Sequence, residues 1–222
     1  MATPAIAEDR VTRERLIEAA GQLFADHGFR KVTVREICRV ARANVAAVNY
    51  HFGDKLGLYR EVLDTAISAQ EATTAAARAA GEGLPADQKL RAFVQTFVER
   101  VVGHRPTWVR GLMFREMSDP TPALDVFVER GIRPRFDYLC SIVAELLGCP
   151  VTDDRVLTCA GSVQSQLMMA VPNPIGARLR PGPAPGPADI AQLVEHITQF
   201  SLAGIARIRE VPSAKSKGKV EC

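Results

Sequence analysis

Apolar residues recur at helical spacing along nearly the whole chain. Leu16, Ile17, Ala20, Leu23 and Phe24 fall on one face of a helix. That helix is predicted to open at Thr12 as N-cap, with Val11 and Leu16 as a hydrophobic staple, and to stop at Gly28. Thr33 and Glu36 have capping-box spacing, with Val32 and Ile37 as staple, so a second helix should run to Val40 or Ala41. Arg42-Ala43 forms a short turn. Asn44 is a strong N-cap for a third helix, Val45 to Phe52. Gly53-Asp54 breaks the chain, and a long helix follows over 55–80 with Leu58, Val62, Ala66 and Ile67 on one side. Past a linker at Gly81 to Pro85, helices are expected over 86–103, 106–117, 122–147, 153–171 and 188–209, with Pro134 kinking the third of these. The Pro- and Gly-rich stretch 172–187 reads as a loop that cannot be helix. No segment has strand periodicity. The expected class is all-α.

Composition adds little. The chain has 222 residues, 47% hydrophobic and 24% charged, which is enough for a sizeable core. Its net charge of +3 is too small to name a partner. Five cysteines, Cys38, Cys140, Cys149, Cys159 and Cys222, are odd in number and lack C-x-x-C spacing, so they read as free thiols. No signal-like segment and no apolar run of about 18 residues is present, which points to a soluble, cytoplasmic protein. The expected organisation is a disordered arm (1–10), a helix-turn-helix domain (11–54), a helical regulatory and dimerisation domain (55–210) and a disordered basic tail (211–222) carrying Lys215, Lys217 and Lys219.

Local charge is more informative. Two short helices joined by a tight turn and packed on a preceding helix make a helix-turn-helix, whose second member is short enough for the major groove. Between His27 and Lys55 the basic residues are Arg30, Lys31, Arg35, Arg39, Arg42 and Lys55. The acids there are Glu36 and Asp54, and Glu36 is already committed to its cap. This is the footprint expected for phosphate contacts. The same spacing also suits a helical hairpin of any all-α protein. Ile37, Val40, Val48 and Phe52 are expected to fix the crossing of the two helices, leaving Val45, Ala46, Ala47, Asn49, Tyr50 and His51 exposed.

The run Thr33-Val34-Arg35-Glu36-Ile37, followed by Ala41 to Lys55 with Tyr50-His51-Phe52-Gly53-Asp54-Lys55 at its end, resembles the tetracycline-repressor family. Arg42 stands where that family usually has Gly, and Asn49 replaces a commoner aromatic. Arg115-Glu116-Met117, Pro120 to Leu124 and Ile142 to Gly148 resemble the branch related to the cephalosporin- and chloramphenicol-sensitivity regulator of enteric bacteria. The resemblance implies a three-helix reader, a linking fourth helix, and a body that dimerises through its last two helices and encloses a ligand cavity.

Within that frame, Thr33 and Tyr50 are expected on phosphates through hydroxyls, and His51 and Lys55 through ring N–H and ammonium. Arg42 joins them as a DNA-binding candidate. Arg35 suits a guanine, Asn49 an adenine, and Val45 and Ala46 a thymine methyl. Asn44, counted with the DNA-binding set, is at least a cap. Phe97, His104, Trp108, Met113, Phe114, Gln164 and Met168 are the candidate ligand lining, although Met and aromatics at helical spacing also describe an ordinary core. Ile190, Leu193, Val194, Ile197, Phe200 and Leu202 give the last helix an apolar stripe suited to a homodimer. The expected function is a repressor that releases a palindromic double-stranded operator when a small apolar or amphipathic effector binds. An activator or dual regulator of the same fold is the alternative. A helical enzyme lacks support: no nucleophile elbow, P-loop, H-E-x-x-H or dinucleotide glycine motif occurs, and no cofactor or metal is implied.

Overall fold

The computed structural model describes residues 4–103, 107–121, 123–171, 174–179, 182 and 186–210. It is all-α, with no strand among the described residues. The helices are α1 (Pro4–His27), α2 (Val34–Ala41), α3 (Val45–Phe52), α4 (Lys55–Gly81), α5 (Ala86–Gly103), α6 (Thr107–Ser118), α7 (Leu124–Phe127), α8 (Arg133–Leu147), α9 (Asp154–Ala170), α10 (Pro174–Leu179) and α11 (Pro187–Arg209). One π-helical turn, Val128–Ile132, joins α7 to α8.

Two expectations need correcting. The first helix starts at Pro4, not Thr12, so 4–10 are helical rather than a disordered arm. A proline is tolerated in the first turn, and Ala5, Ala7 and Glu8 favour helix beyond it. Thr12 is therefore interior and Val11 is exposed rather than stapled. The helix expected over 122–147 runs without a gap over 124–147, and its irregularity, the π-turn, falls just ahead of Pro134 in the first turn of α8. The stretch read as unable to form helix holds α10, again opened by a proline. The tail 211–222 lies outside the described residues.

The chain forms two compact units, neither of them bounded at residue 54. One holds residues 1–70 and 106–131, the other 71–105 and 132–222, and α4 contributes to both. In the first unit α1 packs against α2, α3 and α6. Leu16, Ala20, Phe24, Ile37, Val48, Leu58 and Trp108 are all buried there. The α1–α6 contact is close because glycines make it: a Cβ on Gly21 would lie 2.5 Å from the Trp108 ring, and one on Gly111 2.9 Å from Ala25 Cβ. In the second unit α5, α8, α9 and α11 pack around Leu90, Phe93, Leu139, Val143, Val163, Leu167 and Ile197. Among the described residues no helix is long and apolar enough to cross a membrane.

Candidate nucleic-acid interface

Local capping chemistry sets the positions of α2 and α3. The Glu36 N–H donates to Thr33 Oγ1 at 3.3 Å, and the Thr33 N–H donates back to Glu36 Oε2 at 2.8 Å, which completes the capping box. The Thr33 backbone N–H, and then its hydroxyl, hold the Glu36 carboxyl below the usual carboxylate range. A depressed pKa means this cap is intact above the ordinary Glu pKa and is lost only as pH falls through the lower folded value. Ile37, Cys38 and Ala41 form the buried face of α2. Val40, expected in that seam, is 47% exposed, and the smaller Cys38 and Ala41 take its place.

The turn is closed by backbone. Arg42 adopts φ 50°, ψ 48°, the only non-glycine at positive φ among the described residues. Its N–H donates to Arg39 O at 3.4 Å, and the Ala43 N–H to Cys38 O at 3.0 Å. Arg15 donates to Arg42 O from α1 at 3.2 Å. The left-handed region costs a side chain about 1–2 kcal/mol, which a glycine avoids. Arg42→Gly should therefore stabilise the first unit by about 1 kcal/mol, read as a raised thermal midpoint. An unchanged or lower midpoint would contradict that turn geometry.

Asn44 caps α3 by accepting the Ala46 N–H at 3.0 Å, and Val48 anchors that helix in the core. Gly53, at φ 77°, ends it. Asp54 then caps α4 by accepting the Gly57 N–H at 2.7 Å. Both acids of the 28–55 segment are thus spent on helix starts. Thr33, Arg35, Arg42, Asn44, Val45, Ala46, Asn49 and Tyr50 are all exposed, Tyr50 by 79%. Arg30, Lys31 and Arg39 are exposed beside them.

His51 and Lys55 are placed differently from the other candidates. The His51 side chain is only 7% exposed, with Nε2 3.4 Å from Asp9 Oδ1. Lys55 Nζ donates to Phe29 O and Val32 O, each at 2.9 Å, and lies 4.4 Å from the centre of the Phe29 ring. Its ammonium closes the loop between α1 and α2. Sequence reasoning had no signal for those two carbonyl partners. It also missed Gly57, where a Cβ would lie 1.9 Å from Phe52 O. The spacing of Gly57 three residues after a capping Asp was the available clue.

The candidate ligand residues do not gather in one unit. Trp108, Met113 and Phe114 belong to the first, and Phe97, Gln164 and Met168 to the second. His104 lies outside the described residues. The Trp108 indole, expected in a cavity wall, is 1% exposed and donates its N–H to Glu18 Oε2 at 2.7 Å, so it serves as core between α6 and α1. Phe114 is 37% exposed. Phe97 is buried with the Arg135 guanidinium 4.9 Å from its ring centre. Gln164 Oε1 is buried without a hydrogen-bond partner among the described residues.

A short capped helix that exposes Arg35 and Arg39, a tight turn at Arg42 and a second capped helix that exposes Val45, Ala46, Asn49 and Tyr50 define a helix-turn-helix DNA reader attached to a helical body. Residues 16–62 match the model of bacterial regulatory proteins of the tetR family, and residues 86–205 match the C-terminal domain of the HTH-type transcriptional dual regulator CecR. The chain belongs to the tetR family of DNA-binding transcriptional regulators. It is 25% identical to the dual regulator CecR of Shigella flexneri over 154 residues, 65% of this chain and 69% of that protein. It is 30% identical to the HTH-type transcriptional regulator YttP of Bacillus subtilis over 142 residues, 58% and 68% of the two chains. The solved tetR-family regulator PfmR of Thermus thermophilus shares the fold with a TM-score of 0.64 at 18% identity, over 85% of this chain and 97% of that one.

Proposed function

We propose that the protein is a homodimeric repressor that holds a palindromic double-stranded operator and releases it when a small apolar or amphipathic effector binds the second unit. The observation that carries this reading is the exposed face of α2 and α3. It combines Arg35, Arg42, Asn49 and Tyr50 with further cations, while both local acids serve as caps. Arg35 reads a guanine through its guanidinium fork, and Asn49 reads an adenine. Thr33, Arg42 and Tyr50 grip phosphates, and Val45 and Ala46 lie against base edges. His51 and Lys55 support the reader from behind, and any phosphate contact they make is added to that role.

The dimer reading draws on helices with a second apolar face. Leu157 and Met169 on α9 are each 63% exposed and Phe200 on α11 is 64% exposed, although both helices already bury one face in the core. Phe97, Gln164 and Met168 remain the effector candidates of that unit; the unpartnered Gln164 carbonyl would accept a donor from the ligand. The Shigella relative's name favours a second reading, a dual regulator, which a promoter fusion separates by the sign of its response.

Fluorescence anisotropy on the selected operator tests the contacts. Arg35→Ala should cost roughly 1–3 kcal/mol and relax preference at one operator position. Arg42→Gly should weaken every sequence alike and lower the salt slope by about one. If Arg35→Ala weakened all DNA equally, the base-reading role of Arg35 would be wrong.

A further inference from the structure

Two buried side-chain atoms of the second unit lack a hydrogen-bond partner among the described residues: Nε of Arg135 on α8 and Oε1 of Gln164 on α9. One is a donor and the other an acceptor. Arg135 is 4% exposed, and other parts of the residue have partners. Its guanidinium lies 4.9 Å from the centre of the Phe97 ring on α5. That contact offsets part of the cost of burying the charge, but it gives the Nε–H no oxygen to donate to.

The two atoms come from neighbouring places in the bundle. α8 and α9 pack on each other across the short link 148–153, so they run antiparallel. Arg135 stands twelve residues before the end of α8 at Leu147, and Gln164 ten after the start of α9 at Asp154. At about 1.5 Å per residue, both lie at nearly the same height. The Gln166 amide donates to Ser201 Oγ of α11 at 3.2 Å. Two residues turn a helix by about 200°, so Gln164 lies on the flank of α9 away from α11. The helices packed most closely on α9 besides α11 are α8 and α5, which carry Arg135 and Phe97.

We propose that Arg135 and Gln164 together hold the head of the effector, and that the effector is an apolar carboxylic acid carrying a hydroxyl group. This inference rests on the effector reading and gives it a chemistry. The carboxylate accepts the Arg135 Nε–H in a charge-assisted bond, which is strong in a buried site. The hydroxyl donates to Gln164 Oε1. Phe97 and the half-buried Met168 supply the apolar wall for the rest of the molecule. Each polar group of the ligand then satisfies a buried atom that is costly to leave unpaired. A ligand without the hydroxyl leaves the Gln164 carbonyl unpaired, and one without the charge loses the stronger of the two bonds.

Isothermal calorimetry on the full chain without DNA tests this with two pairs of probes, 3-hydroxybenzoate against benzoate and 3-hydroxyoctanoate against octanoate. The amide 3-hydroxybenzamide serves as the uncharged control. In at least one pair the hydroxylated acid should bind about tenfold tighter than its partner, and 3-hydroxybenzoate should bind tighter than its amide. Gln164→Leu should keep the affinity for the plain acid and erase the preference for the hydroxyl. Arg135→Met should erase the preference for the acid over the amide. If Arg135→Met fails to fold, Gln164→Leu decides alone. The inference is overturned if neither hydroxylated acid binds, if neither binds better than its partner, or if Gln164→Leu keeps the preference. Operator release is read separately by anisotropy. Binding without release would overturn the effector reading and leave this site standing. Release by an uncharged apolar compound, with no binding of either hydroxylated acid, would overturn the site and leave the effector reading standing.

Discussion

Alanine at Gly57 should abolish operator binding and destabilise the first unit by about 3 kcal/mol or more. A Cβ at this position would lie 1.9 Å from Phe52 O and 3.0 Å from Phe52 C. Both are backbone atoms of the last residue of α3, so no side-chain rotation relieves the clash. The Gly57 N–H is also tied to the Asp54 carboxylate. A methyl group must therefore push the start of α4 away from the end of the recognition helix. Under the proposed function, displacing α3 by even an ångström would move Asn49 and Tyr50 out of register with the groove. Thermal unfolding and anisotropy with operator DNA check this together. A variant that melts and binds like the wild type would show that α3 and α4 do not meet as described.

The second large effect is expected at Trp108. Its replacement by alanine removes the largest fully buried side chain among the described residues and should cost about 3–5 kcal/mol. Against a typical total of about 5–15 kcal/mol, this is enough to unfold much of the population at growth temperature. Circular dichroism on heating measures it. Gly21→Ala probes the same contact from the other side, because the new methyl would approach three ring atoms within 2.8 Å. Trp108 is the sole tryptophan, so its emission reports the site directly. The wild type should emit as a buried indole, with Gly21→Ala shifted to the red. Unchanged melting in Trp108→Ala would contradict the assignment of this residue to the core.

The reader was legible wherever a side chain contacts its own backbone. The Thr33–Glu36 box and the Asn44 cap are short-range and therefore written in the local sequence, and both α2 and α3 begin where they indicate. Roles that depend on distant partners were not legible. Lys55 reads as a DNA-facing cation until the carbonyls of Phe29 and Val32 are brought beside it. His51 reads as exposed until helical residues 4–10 place Asp9 against it. Trp108 reads as a cavity wall because its spacing cannot announce that Gly21 leaves room for its ring. A proline misled at Pro174, which sits in a first turn, where it opens a helix rather than breaking one.

The proposed function stands on α2 and α3 reading a symmetric DNA sequence. Selection of bound duplexes from a random pool, with the full chain at physiological salt, tests it most directly. The enriched sequences should share an inverted repeat, with a guanine that becomes degenerate when Arg35→Ala is used in the same selection. A pool that yields no common motif, or one without two-fold symmetry, would contradict the account.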